Sequence, residues 1–185
     1  KGSRTSAFVE FIDLVPTVLS IAGISIPSSV DGKPFLGKSL KKEKLEKQNI
    51  TFGYADRFDE KYDLVRSVRK GKFKYIRNYQ PFNVDGLYNF YRYKMLAYKE
   101  WYNLFQDGKL NEVQSQFFRP RKPEALYNIE EDPHEINNLA NDKNYNKTLI
   151  DLRTELNDHL ISINDLSFLP EPHLLKNGLE NIVDY

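Results

Sequence analysis

Apolar and polar positions change period along this chain, and each change marks a different kind of element. Residues 8–23 read Phe-Val-Glu-Phe-Ile-Asp-Leu-Val-Pro-Thr-Val-Leu-Ser-Ile-Ala-Gly. Val15, Val18, Leu19 and Ala22 follow the i, i+3, i+4, i+7 spacing of one buried helical face. Asp13 is a good N-cap, Pro16 falls in the first turn, and Gly23 stands where a left-handed cap is expected. Residues 24–40 are turn-rich and read as a connector (Pro27, Ser28, Ser29, Asp31-Gly32, Pro34, Gly37), and the charged run 41–48 reads as solvated. From residue 50 the period shortens to two. Residues 50–55, 64–69 and 73–79 read as strands, the last two joined by a tight turn around Lys70-Gly71-Lys72. Residues 80–86 form a loop, 87–105 read as a helix rich in Tyr, Phe and Trp101, and 110–117 as a weaker one. Glu124–Asn128 reads as a short strand, followed by a turn at Glu131-Asp132-Pro133. Tyr145, Leu149, Leu152, Leu156, Leu160 and Ile163 mark a long amphipathic helix. The tail from 165 carries Pro170, Pro172 and Gly178 and reads as irregular.

Composition narrows the function classes. The 185 residues include no cysteine, so disulfides, thiolate metal sites and a cysteine nucleophile are excluded from this chain. Lys+Arg 27 against Asp+Glu 26 leaves a formal charge of +1, a poor basis for generic polyanion or nucleic-acid binding. Mean hydropathy is −0.61, and no apolar run approaches the ~20 residues a membrane span needs. The opening Lys1-Gly2-Ser3-Arg4 reads as neither an initiator nor a leader, so a piece of something longer is expected.

Few residues point to chemistry. His134, His159 and His173 are the only histidines, and none has the spacing of a metal-binding pair. No Gly-x-Ser-x-Gly elbow or Gly-x-x-x-x-Gly-Lys loop is present. The stretch Asp56-Arg57-Phe58-Asp59-Glu60-Lys61-Tyr62-Asp63 reads as a loop between two strands. It offers arginine for sulfate, phosphate or carboxylate and acids for sugar hydroxyls; the plainer reading is an exposed charged loop. Residues 69–77 interleave basic and aromatic side chains. Alternation puts Phe73, Tyr75 and Arg77 on one face and Lys72, Lys74 and Ile76 on the other, which favours a hairpin with one solvated basic face over a heparin-like patch. Residues 126–140 read as a strand–turn–helix clasp. In it Glu135 would satisfy backbone donors, while Leu126, Ile136 and Leu139 would reach the core.

Two of these segments together resemble type I sulfatases. Residues 124–140, with Leu126-Tyr127-Asn128, Asp132-Pro133-His134-Glu135 and Asn138-Leu139-Ala140, match the Asp-Pro-x-Glu-x-x-Asn-Leu-Ala signature near that family's C-terminus. Asp13-Leu14-Val15-Pro16-Thr17-Val18-Leu19 with Ala22-Gly23 resembles the family's Asp-Leu-x-Pro-Thr helix, and Asp31–Gly37 the segment after it. The order and separation also agree, and the resemblance covers roughly residues 5–165. Arg66-Ser67-Val68-Arg69 with residues 73–78 is similar to the sulfamidase branch, as, more weakly, is Pro170-Glu171-Pro172-His173.

The resemblance implies an α+β fold, a small antiparallel sheet packed by a long C-terminal helix. It implies that residues 1–42 end a large N-terminal α/β domain and that 43–185 form the C-terminal subdomain. It also implies a hydrolase acting on sulfate esters, or less readily N-sulfates, of a sulfated saccharide. Such enzymes use a formylglycine and Ca²⁺, both expected on the absent N-terminal domain, so no catalytic or metal residue is assigned here. The fragment alone is expected to be inactive. Substrate contacts are expected at Arg57 and Asp59, with Asp56 and Arg66 behind them. The implied partners are the saccharide and the N-terminal domain, with no nucleic acid or membrane, and the implied setting is an exported protein. A non-catalytic glycan-binding module and a phosphodiesterase or phosphomutase of the same superfamily stand as alternatives.

Overall fold

The computed structural model describes residues 4–58 and 61–179. The chain forms two compact units, Lys1–Thr51 with Arg69–Lys72, and Phe52–Val68 with Phe73–Tyr185.

In the first unit a 3-10 turn at Phe11–Asp13 leads into helix α1 (Leu14–Ala22), which ends on Gly23 at φ 73° as expected. The buried face is not the expected one. Val15, Val18 and Ala22 are exposed and Leu19 is half-buried, whereas Pro16, Thr17 and Ser20 are buried. Hydrogen bonding is the reason. The Lys33 N–H donates to Asp13 Oδ1 at 2.8 Å, Phe35 N–H to Thr17 Oγ1 at 3.1 Å and Ser39 N–H to Ser20 Oγ at 2.8 Å. Asp13, Thr17 and Ser20 are spaced i, i+4, i+7, so they form one polar stripe that satisfies the connector's backbone. Asp13 therefore does not cap α1 with its side chain; its other oxygen accepts from Glu10 N–H at 3.0 Å. The charged run contains one helical turn, α2 (Lys42–Leu45), which buries Leu45. Thr51 Oγ1 donates to Glu10 Oε1 at 2.8 Å, and Arg69 lies 4.4 Å from the centre of the Phe8 ring.

The second unit holds most of a four-stranded antiparallel sheet in the order β1-β2-β3-β4. The strands are β1 (Ile50–Phe58), β2 (Lys61–Lys70), β3 (Phe73–Asn78) and β4 (Glu124–Asn128). Strands β1 and β2 are longer than their apolar cores suggest. Residues 56–58 and 61–63, read above as loop, are strand. Charge does not end these strands, because Asp56 pairs with Arg66 and Asp63 with Arg121. β3 and β4 align Tyr75 with Leu126 and Arg77 with Glu124. Directly opposed residues share a face, and Tyr75, Leu126 and Val68 are each no more than 1% exposed.

Helix α6 (Asn146–Ser162) packs on β3 and buries Leu149, Leu152, Leu156 and Leu160. The predicted long helix at 87–105 is broken at Met95, whose ψ of 125° separates α3 (Phe90–Lys94) from α4 (Leu96–Gln106). Helix α5 (Glu112–Ser115) and a 3-10 turn at Gln116–Phe118 follow. Tyr93, Tyr98, Trp101, Phe117 and Phe118 form an aromatic cluster, mostly edge-to-face, with Trp101 stacked on Phe117. The clasp is present. Asn138 Oδ1 accepts from Leu126 N–H at 3.0 Å and Ala140 N–H at 2.9 Å, and Leu139 N–H donates to Leu126 O at 2.8 Å. Two of its details differ. Ile136 is exposed, and Glu135 binds Lys74 at 2.8 Å rather than backbone. The tail is not irregular. A 3-10 turn at Leu166–Phe168 precedes α7 (Glu171–Leu179), and Pro172 falls in its first turn, where no N–H is required. Among the described residues no helix is long and apolar enough to cross a membrane.

Candidate functional site

Of the residues singled out by the sequence, Asp56 and Arg57 lie near the end of β1 and Arg66 lies within β2. Asp59 lies outside the described residues. Arg57 is exposed near the end of β1, its guanidinium carbon 6.0 Å from the centre of the Tyr62 ring. As strand neighbours, Asp56 and Arg57 leave the backbone toward opposite sides. Asp56 faces Arg66, whose Nη1 donates to Asp56 Oδ1.

Arg66 is only 3% exposed although it carries a charge. Burial of that kind is tolerated when the cation is paired and its donors are used. Nε and Nη2 reach the two oxygens of Asp165 at 2.6 and 3.2 Å, and Nη1 also donates to Val65 O at 2.8 Å. Burial alone would pull the Arg66 pKa down. The hydrogen bonds to Asp165 and Asp56 outweigh it and leave the pKa raised. The hydrogen bond from Arg66 holds the Asp165 carboxyl below its ordinary value, against the effect of burial. Asp165 Oδ1 also accepts from Ser167 N–H at 3.0 Å, which caps the 3-10 turn, and Ser167 Oγ donates to Asp56 Oδ2 at 3.0 Å. Tyr54 and Phe168 place ring centres 5.9 and 5.8 Å from the Arg66 guanidinium carbon. Tyr54 itself is 82% exposed.

The structure thus brings Asp56 and Arg66 together and adds Asp165, Ser167, Tyr54 and Phe168. Asp165 and Ser167 were not foreseen, because they lie 99 and 111 positions from their partners in a segment that read as irregular. A weak signal was present. Asp165 followed by Ser167 is the pattern of a polar turn after a helix.

A second cluster is built on Asp63 of β2. Arg121 grips it with two parallel bonds of 2.8 and 2.6 Å, and Asn83 Nδ2 donates to it at 3.3 Å. Burial works to raise the Asp63 pKa, and the Arg121 pair overcomes it to leave the value lowered. On β3 the basic side chains are engaged. Lys74 is held by Glu135, and Arg77 lies 3.4 Å from Glu124, which Arg153 of α6 also binds at 2.8 Å. On the face read as solvated and basic, Lys74 is therefore neutralised by Glu135, while the Arg77–Glu124 pair lies on the other face. His159 lies flat on Phe52, ring centres 3.6 Å apart, while His134 and His173 are exposed.

Among the described residues no group of three His, Cys, Asp or Glu side chains could hold a metal ion.

Comparison with known proteins agrees with the sequence motifs. The family model described as N-sulphoglucosamine sulphohydrolase, C-terminal, matches residues 1–120. An ulvan-active sulfatase of Formosa agariphila is 41% identical over 168 residues, covering 90% of this chain and 28% of that protein. Another ulvan-active sulfatase of the same organism is 27% identical over 147 residues, covering 78% of this chain and 27% of that protein. The chain thus spans little more than a quarter of the curated relatives it matches. Solved structures share the fold. A 2-O GAG sulfatase aligns with TM-score 0.51 and 21% identity over 83% of this chain and 25% of its own. A protein in complex with its substrate D-glucosamine-2-N,6-O-disulfate aligns with TM-score 0.56 and 19% identity over 91% and 28%. With the family model covering well over half of its residues, this chain belongs to the N-sulphoglucosamine sulphohydrolase C-terminal family.

Proposed function

We propose that the full-length protein is a sulfatase that hydrolyses sulfate esters of a sulfated saccharide, with N-sulfates the lesser possibility. This chain is the carboxy-terminal share that completes the substrate pocket. The observation that carries the reading is the family match over residues 1–120. The 41% identical relative, named as ulvan-active, favours a polyanionic saccharide as substrate class. Formylglycine and Ca²⁺ belong, on this reading, to the N-terminal domain, and so does bond cleavage. Residues 1–42 are its last part and 43–185 the small subdomain. The protein is exported to where such polysaccharides occur.

Within this chain the substrate-facing group is Arg57, exposed at the hairpin end, with Asp59 beside it in sequence. Its planar guanidinium donates two parallel hydrogen bonds to a sulfate or carboxylate of the sugar. Asp56 accepts from sugar hydroxyls, and Arg66, being buried, acts through Asp56 rather than by touching sugar. In the full-length protein Arg57→Ala should lower kcat/KM on an ulvan oligosaccharide about ten- to a hundred-fold, the range of a charge-assisted hydrogen bond. Wild-type kinetics on every sulfated saccharide tried would remove the hairpin from the site. The rival reading, a non-catalytic glycan-binding module, loses support because Lys74 and Arg77 are already paired with acids.

A further inference from the structure

Asp56 is held on both of its oxygens. Oδ1 accepts from Arg66 and Oδ2 from Ser167 Oγ. One donor on each oxygen leaves acceptor capacity on both, since a carboxylate offers about four lone-pair sites. The side chain remains 31% exposed. It therefore presents aimed acceptors to solvent, suited to neighbouring hydroxyls of a sugar ring. The groups that aim it do not come from its own hairpin alone. Arg66 is oriented by Asp165, and Ser167 is oriented by its N–H bond to the same Asp165. Tyr62 Oη also points to Ser167 O, at 3.5 Å.

We propose that the turn after α6, through Asp165 and Ser167, is a positioning clamp that fixes Asp56 for the saccharide. This rests on the reading above that the hairpin end meets substrate. A purely structural role explains the network less well. A buried ion pair contributes little net stability against an apolar replacement, whereas it does fix geometry. Two carboxylates around one buried cation also leave an excess negative charge, and Asp56 is the less buried of the two, 31% against 9% exposed. Preorganised acceptors lose less freedom on binding, so fixing Asp56 lowers the cost of capturing the sugar.

The test uses the full-length protein with two probes, an ulvan oligosaccharide and 4-nitrophenyl sulfate, which carries no sugar. Ser167→Ala deletes one hydroxyl. It should raise KM for the oligosaccharide about five-fold, the worth of one such hydrogen bond, lower Tm by no more than a few degrees, and leave kcat and aryl sulfate turnover unchanged. Asp165→Asn should act in the same direction and more strongly. In an Asp56→Ala background Ser167→Ala should have no further effect, because its action passes through Asp56. Unchanged KM, an equal loss on both probes accompanied by a larger fall in Tm, or additivity with Asp56→Ala would each overturn the clamp. If Arg57→Ala impairs the oligosaccharide reaction while Ser167→Ala does not, the clamp falls and the functional reading stands. If Arg57→Ala and Asp56→Ala are both silent, both ideas fall together.

Discussion

Tyr75 shows how a single side chain takes its properties from its neighbours. It is 1% exposed, and its hydroxyl donates to Glu124 Oε1, which Arg153 also binds. Burial, reinforced by the Glu124 carboxylate, pushes its pKa up to about 12. An ordinary tyrosine ionises near pH 10. Because the folded value is raised, the stabilisation is complete below pH ~10 and is lost as pH rises from there toward ~12. Tyr93, half-buried among other tyrosines, is likewise pushed up to about 12, so a spectrophotometric titration should show late tyrosinate ionisation whose amplitude Tyr75→Phe lowers by one phenol. A titration in which every phenol ionises near pH 10 would contradict the buried hydrogen bond. The strand was legible in the sequence, since Phe73, Tyr75 and Arg77 alternate. The acid that tunes Tyr75 was not, because Glu124 lies 49 positions away and reaches it only through the β3–β4 register.

Helix α1 and its connector show the same limit at the scale of elements. The helix, its proline and its glycine cap were readable, since each depends on local backbone geometry. The orientation was not. Periodicity finds an apolar stripe, but the connector needed hydrogen-bond acceptors and took the polar one. Gly37 is a point of close approach between the two segments. It has φ 92°, and a Cβ there would overlap the Ser20 carbonyl carbon and Ile21 nitrogen. Gly71 has φ 57° with nothing near a Cβ. Gly71→Ala should cost about 1 kcal/mol, the strain of a left-handed residue alone. Gly37→Ala adds steric overlap and should cost about 3 kcal/mol or more. Chemical denaturation of the two variants checks the difference, and equal losses would mean that the connector is not seated on α1.

Across the molecule, the stripe that α1 leaves uncovered has its own consequence. Val15, Val18 and Ile21 are 57%, 63% and 58% exposed, and Phe11, Ile12 and Ile24 are exposed beside them in sequence. Contiguous apolar surface of this kind is covered in a working protein. In the full-length protein Val18→Asp should therefore destabilise by about 3 kcal/mol or more, as for a buried unpaired charge, against less than about 0.5 kcal/mol at a truly exposed site. Thermal melting of the full-length variant separates the two. By itself the sequence determined the family, the α+β class, the long leucine helix and that residues 126–140 form a clasp, though not that Asn138 ties it. These depend on local periodicity and on turn chemistry packed into short spans. Only the tertiary structure decided which face of α1 is buried, that the charged stretch 56–63 is mostly strand, and that Asp165 and Ser167 close on Asp56 and Arg66. Those outcomes depend on which distant donor meets which acceptor, and a one-dimensional pattern carries no distance between residues a hundred positions apart.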